Sequence, residues 1–335
     1  MNNRKHYKSI SVIGAGAWGT AISATLSKNQ KSIGIWAKER EVVDSINLSN
    51  ENTLYLPGVS LSEKIKAYND FHFLKESDLL FLVTPAQFLR NTLEQIKHII
   101  NKSAPIVLCS KGVEIDSLKL MSDVTKEVIP DNIVAILSGP SFAIDVANNL
   151  PTALTLACRD NEIGKKIAET INSPEFRIYQ SQDIVGAQIG GATKNIIAIA
   201  SGIVFGKNLG DSARSALIAR GYSEIRRLSE AMGGEERTLA GLSGMGDLIL
   251  TCNSETSRNF TLGIKLGKGM DINEATNNLK SVAEGMFSTR AITELAKNYD
   301  VTMPITESIN KLITNETNID SIIEELLSRP LKEET

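Results

Sequence analysis

Histidine is scarce in this chain: 335 residues contain only three, at His6, His72 and His98. The usual neutral-pH proton carrier is therefore in short supply, and none of the three stands near another polar cluster, so each reads as structural. Cysteine is equally sparse. Cys109, Cys158 and Cys252 are far apart, form no Cys-x-x-Cys pair and are odd in number, which argues against a disulfide framework and for reduced thiols in a cytoplasm; no metal site is expected. Charge of either sign is also lacking in excess. With 36 basic and 39 acidic residues the net charge is -3, so no long-range field recommends nucleic acid or a membrane surface as a partner. Long apolar runs are missing too: a membrane span needs roughly 18 apolar residues without interruption, and the nearest approach, Ile196 to Phe205, is broken by Ser201 and Gly202. The polar, basic start of the chain is expected to be a short tail and not a signal peptide.

What is present is a repeating texture. Hydrophobic residues make up 42% of a chain too long for one core, which predicts two domains. From Ser9 to about Ala157, apolar runs alternate with segments of helical period. Ile10 to Ile13, Ser32 to Trp36, Leu79 to Val83, Ile106 to Leu108 and Ile133 to Leu137 read as strands covered on both faces, and Ala86 to Ile100 and Leu118 to Val128 as helices. The pattern predicts an α/β domain with a doubly wound, mainly parallel sheet. After about Gln180 strand-like runs largely disappear, which predicts an all-α C-terminal domain. The boundary is expected near Ser173 to Asp183, giving residues 1–180 as the α/β domain and 181–335 as the helical domain.

Gly14-Ala15-Gly16-Ala17-Trp18-Gly19 follows the first strand and opens a helix expected from Ala17 to Ser27. In that context Gly14 permits the tight turn, Gly16 lets backbone approach a pyrophosphate and Gly19 lets helix pack on strand, while the helix N-terminus offers N–H groups to phosphate. The second strand ends in Ala37-Lys38-Glu39-Arg40, where an NAD enzyme usually carries an acid for the ribose. Lys38 and Arg40 can attract a 2′-phosphate and Glu39 can reach a ribose hydroxyl, so the residues leave NAD and NADP both open.

With histidine set aside, lysine is the candidate proton carrier. Lys194 and Asn195 stand at the start of an apolar run, Ile196 to Ala200, where burial would disfavour the ammonium form and make Lys194 a usable acid and base; the alternative is a lysine that extends out of a core helix. Three further segments suit a ligand site. Ser110-Lys111-Gly112 ends a strand at the carboxyl edge of the sheet. Ser138-Gly139-Pro140-Ser141-Phe142-Ala143 also follows a strand and offers N–H groups and the Ser141 hydroxyl. Gly244 to Cys252, which includes Asp247 and Thr251, leads shortly to Ser257-Arg258-Asn259, where Arg258 can grip a phosphate in bidentate fashion.

Taken in order, these blocks closely resemble the bacterial NAD(P)-dependent glycerol-3-phosphate dehydrogenase family over nearly the whole chain, joined by Val282-Ala283-Glu284-Gly285 and Met303-Pro304-Ile305-Thr306. The resemblance implies a Rossmann-type NAD(P)-binding domain over residues 1–180, a helical substrate-binding and catalytic domain over 181–335, and a homodimeric oxidoreductase that interconverts dihydroxyacetone phosphate and sn-glycerol 3-phosphate and supplies phospholipid synthesis. It implies Lys194 as the catalytic lysine, with Lys111 and Asp247 assisting. Lys111, Gly139, Ser141, Lys194, Asn195, Asp247, Thr251, Ser257, Arg258 and Asn259 match substrate-site positions. Gly14, Gly16, Ala17, Trp18, Gly19, Lys38, Lys111, Ala143, Arg258, Val282 and Glu284 match cofactor positions. Relatives often carry Ser before the aromatic residue where this chain has Ala17-Trp18, which leaves the cofactor preference unset. Two other functions compete: a 3-hydroxyacid dehydrogenase of related build, which needs a carboxylate site, and a non-catalytic NAD(P) sensor, which binds without hydride transfer.

Overall fold

The computed structural model describes residues 6–30, 32–277 and 284–327. The chain forms two compact units, Met1–Gly191 with Gly233–Asp247, and Ala192–Met232 with Leu248–Thr335.

The first unit is built on a sheet of eight strands: β1 (Ile10–Ile13), β2 (Ile33–Trp36), β3 (Ile65–Tyr68), β4 (Leu79–Leu82), β5 (Ile106–Leu108), β6 (Val134–Ser138), β7 (Thr152–Cys158) and β8 (Phe176–Ser181). Their order is β3-β2-β1-β4-β5-β6-β7-β8, and every pairing is parallel except β6 with β7. The order reverses at β1, which pairs Val12 with Ile35 of β2 on one side and with Phe81 of β4 on the other. A ligand crevice belongs at the carboxyl ends of the strands at such a switch point. Helices α1 (Ala17–Leu26), α2 (Arg40–Ser49), α3 (Leu89–Ile96), α4 (Met121–Val128), α5 (Ala143–Ala147) and α6 (Asn161–Ile171) connect the strands. Neighbouring residues of a strand fall on opposite faces, and each face is packed. Val12, Phe81 and Val107 join one core with Ile22 and Ile46, whereas Ile13, Leu80, Leu82 and Leu108 join another with Leu93 and Met121.

The α/β expectation holds, with differences that have local causes. β3 reads Ile65-Lys66-Ala67-Tyr68 and alternates buried with exposed residues, as suits an edge strand too short to stand out in sequence. At the other edge β8 buries only Phe176 fully. The expected helix from Ala86 to Ile100 begins as a 3₁₀ turn, Ala86–Phe88, behind Pro85, and α3 ends at Ile96.

Beyond β8 the chain is helical among the described residues: α7 (Ile184–Gly206), α8 (Asp211–Ala231), α9 (Glu236–Leu239), a π-helical turn (Leu242–Gly246), α10 (Asp247–Cys252), α11 (Arg258–Gly267), α12 (Ile272–Asn277), α13 (Glu284–Asn298), α14 (Pro304–Ile313) and α15 (Ile319–Leu327). By length and composition α7 matches a membrane span, but its most apolar 18-residue window is 94% buried, the state of a core helix that is apolar all round. In the second unit α7 and α11 touch backbone to backbone: a methyl group at Gly202 would lie 2.1 Å from the Phe260 carbonyl oxygen, and one at Gly263 would lie 2.1 Å from that of Ile199. Glu224 of α8, only 2% exposed, fastens the start of α14 by accepting from the Ile305 N–H at 2.6 Å, the Thr306 N–H at 3.2 Å and the Thr306 hydroxyl at 3.0 Å. Burial pushes its carboxyl up to about 7, against the pull of these hydrogen bonds and of Arg227.

Candidate active site

The glycine turn after β1 has the geometry of a phosphate cradle. Gly14 adopts φ +115°, a region open to glycine, and its N–H donates to the Trp36 carbonyl at 3.1 Å, so the turn adjoins the end of β2. A methyl group at Gly19 would lie 1.8 Å from the Gly14 carbonyl oxygen, whereas one at Gly16 would meet nothing within 4 Å. Gly16 is the N-cap of α1 and supplies no side-chain bond, so the first N–H groups of the helix have neither an intrahelical acceptor nor a side-chain cap. Asn52, fully buried, holds the turn from behind through Nδ2, which donates to the Ala15 carbonyl at 2.8 Å and to the Thr20 hydroxyl at 2.8 Å. Thr84, just beyond β4, keeps a buried hydroxyl oxygen with no hydrogen-bond partner. This donor set fits a dinucleotide. Trp18 donates its indole N–H to the thiol of Cys109, whose pKa burial drives up to about 12 while Lys111 opposes the rise. All three cysteines are buried and unbridged.

Lys111 and Asp247, 136 residues apart, meet in the first unit, Nζ to Oδ2 at 2.7 Å. Asp247 is 1% exposed and Lys111 is 20% exposed, so the pair is largely withdrawn from water. Two packings place it. A methyl group at Gly191 would fall 3.4 Å from the Lys111 side chain, and one at Gly190 would fall 2.4 Å from the Ser243 carbonyl oxygen in the π-helical turn that precedes Asp247. π-helical turns recur at functional sites because they redirect the side chains that follow them. Gly139 and Ser141 are in the loop from β6 into α5, and Ala143 is the first residue of that helix. Gly139 has φ +148°, and the Ser141 hydroxyl donates to the Gly139 carbonyl at 3.2 Å. Ser138 leaves a buried hydroxyl without a partner at the end of β6.

Sequence reading missed Asp183. Its Oδ1 accepts from the Gly186 N–H at 2.8 Å and caps α7, while Oδ2 accepts from the Glu235 N–H at 2.9 Å and ties down the segment that leads to Asp247. An aspartate three residues before a glycine is an ordinary cap signal, and nothing in the sequence announces its second bond.

In the second unit Lys194 is 8% exposed, and its Nζ donates to the Thr251 hydroxyl at 3.0 Å. Asn195 is 5% exposed beside it. Ser257 caps α11 by accepting from the Phe260 N–H at 3.3 Å, the exposed Arg258 opens that helix, and Asn259 Oδ1 accepts from the Gly285 N–H at 3.1 Å. Val282 lies outside the described residues, and Glu284 opens α13.

Family models decide what this constellation belongs to. The model of the NAD-dependent glycerol-3-phosphate dehydrogenase N-terminus matches residues 9–164, and that of the C-terminus matches residues 183–324. A glycerol-3-phosphate dehydrogenase [NAD(P)+] of Parvibaculum lavamentivorans is 46% identical over 98% of this chain and 99% of its own. The chain belongs to the NAD-dependent glycerol-3-phosphate dehydrogenase family. A relative of the same name from Caulobacter vibrioides is 47% identical, again over 98% of this chain and 99% of its own. Among solved structures, the glycerol-3-phosphate dehydrogenase of Coxiella burnetii matches with a TM-score of 0.93 at 34% identity, covering 97% of this chain and all of that one. Membership makes the chain an NAD(P)-dependent oxidoreductase, and a Rossmann-type sheet followed by helices is the architecture these relatives share.

Proposed function

We propose that this enzyme interconverts dihydroxyacetone phosphate and sn-glycerol 3-phosphate, with Lys194 handling the proton. The observation that carries the reading is a buried lysine, Lys194, bonded to the Thr251 hydroxyl at 3.0 Å on a helix that is otherwise uncharged. A lysine kept from water at the cost of desolvation needs a reason, and proton transfer supplies one.

A bound nicotinamide cofactor supplies or accepts the hydride at the substrate's C2. Lys194, as ammonium, gives its Nζ proton to the oxygen that becomes the C2 hydroxyl; in the reverse direction the neutral amine takes it. Thr251 holds that nitrogen in place, and Asn195 supports it. Lys111, fixed by Asp247, stabilises negative charge on the reacting oxygen. Arg258, with Ser257 and Asn259 on the same helix start, takes the phosphate. Gly139 and Ser141 offer backbone and hydroxyl groups to the polyol. Ala17, Trp18, Lys38 and Ala143 serve the cofactor with Gly14, Gly16 and Gly19, and Val282 and Glu284 are assigned to it by the resemblance of the sequence alone. Residues 1–180 serve the nucleotide, and 181–335 carry the proton and the phosphate.

Steady-state kinetics on dihydroxyacetone phosphate, with short 3-oxo acids as the competing substrates, test the reading. Turnover of the phosphorylated ketone is expected, and Arg258→Ala should raise its KM. A preference for the acids would assign the chain to the 3-hydroxyacid reading instead, and cofactor binding without turnover of either would leave a sensor. We further propose a homodimer working in the cytoplasm and supplying glycerol 3-phosphate to phospholipid synthesis. Three buried free thiols suit a reducing compartment.

A further inference from the structure

A helix cap needs one acceptor, and Asp183 supplies two. Oδ1 caps the first turn of α7, while Oδ2 reaches the Glu235 N–H, 52 residues further along the chain. The residue is 8% exposed, so both bonds are made away from water, where an N–H that lost its acceptor would be costly. Gly186 keeps the space open: a methyl group there would lie 2.2 Å from Oδ2. Alanine would favour the helix at that position, and the carboxylate occupies the room instead.

From Glu235 to Asp247 the backbone has little slack. The Glu235 carbonyl accepts from the Thr238 N–H at 3.0 Å, the Thr238 carbonyl from the Gly241 N–H at 3.2 Å, and the Gly241 carbonyl from the Gly246 N–H at 3.0 Å, one residue before Asp247. The π-helical turn also folds back on α9, since a methyl group at Gly244 would lie 2.1 Å from the Leu239 carbonyl oxygen. The first turns of α7 are fastened on another side by Gln188, whose Oε1 accepts from the Ser122 N–H at 3.0 Å and whose Nε2 donates to the Ser122 hydroxyl at 2.9 Å, at the start of α4. Those turns lead to Gly190 and Gly191, against which the Ser243 carbonyl and the Lys111 side chain pack. Lys111 and Asp247 are therefore both registered to α7, and Asp183 is the side chain that ties the Asp247 segment to it.

We infer that Asp183 is a positioning residue for the reaction: its second oxygen sets where the Asp247 carboxylate stands and, through that carboxylate, where the Lys111 ammonium points. It acts through the ion pair and not on the substrate. The inference rests on the proposed role of Lys111 at the reacting oxygen, and deepens it by naming what holds that cation in place. Stabilisation of a developing charge depends on donors fixed beforehand, and a misplacement of about 1 Å can cost about a hundredfold in rate.

Asp183→Asn keeps one oxygen for the cap and turns an amide donor toward the other N–H. With dihydroxyacetone phosphate it should lower kcat by about tenfold, the equivalent of one hydrogen bond to a charged acceptor, while the Kd values for NADH and NADPH, titrated without substrate, stay within about twofold. Gly186→Ala, which favours the helix but displaces Oδ2, should lower kcat in the same direction and reads the same contact if Asp183→Asn does not fold. A double-substitution cycle separates positioning from stability alone: in a chain already carrying Asp247→Asn, adding Asp183→Asn should change kcat by less than about twofold. An equal loss in both backgrounds, or wild-type kcat in Asp183→Asn where Asp247→Asn is impaired, would overturn the inference and leave the dehydrogenase reading in place. Wild-type kcat in Asp247→Asn itself would overturn the role assigned to the ion pair, and the inference with it.

Discussion

The sheet unit and the helical unit secure their polar groups by opposite means. In the sheet unit a backbone site, the glycine turn, stands with a single withdrawn ion pair, Lys111 with Asp247. In the helical unit side chains do the work from inside packed helices, where Lys194, Thr251 and Glu224 are each less than 9% exposed. Backbone sites depend on shape and tolerate side-chain change away from the glycines. Buried side chains carry desolvation that only their partners offset, so the helical unit should respond more sharply to single substitutions.

The comparison is tested hardest at Lys194. Lys194→Ala should lower turnover by about a hundredfold to ten-thousandfold, the range of general acid catalysis, with the affinity for the nicotinamide cofactor, read by equilibrium titration, unchanged. Turnover near that of the wild type would remove the lysine from its role. Next comes the ion pair of the sheet unit. Loss of Lys111 removes the 2.7 Å cationic partner of the buried Asp247 carboxylate and should cost about 3 kcal/mol in urea unfolding, whereas replacing both partners with apolar residues should recover most of it. Additive losses would show that the two do not act as a pair.

Glu224 gives a comparable effect that appears only with pH. Its carboxyl is raised from 4.5 to about 7, so the folded chain holds a proton there at pH values where the unfolded chain has lost it. Stability from this group is therefore full below about pH 4.5 and drains away as pH rises toward 7, by about 3 kcal/mol in all. Glu224→Gln should flatten that segment of the stability profile, and an unchanged slope would place the titration elsewhere. The smallest effect belongs to the surface: the pair of Lys102 with Asp131, whose side chains are 78% and 57% exposed, should contribute about 0 to 1 kcal/mol and vanish in salt.

The same contrast explains what could be read from sequence. The β1, β4 and β5 runs were legible because both faces of those strands are buried, so every position is apolar. The edges β3 and β8 were not, because solvent on one side dilutes the pattern. Lys194 stood out as a charge against an apolar helix, and the glycine turn by its order after a strand. The union of Lys111 with Asp247, the double duty of Asp183 and the binding of Glu224 to α14 all join residues at least 52 positions apart or on separate helices, and spacing along a chain carries no record of such meetings.

Gly202 and Gly206 of α7 face Gly263 and Gly267 of α11 with no room for a methyl group between them. Two rods keyed together at four notches cannot slide or roll independently. The start of α11, with Ser257 and Arg258, is thereby indexed to the stretch of α7 that bears Lys194, and any repositioning of one must carry the other along as a single rigid piece.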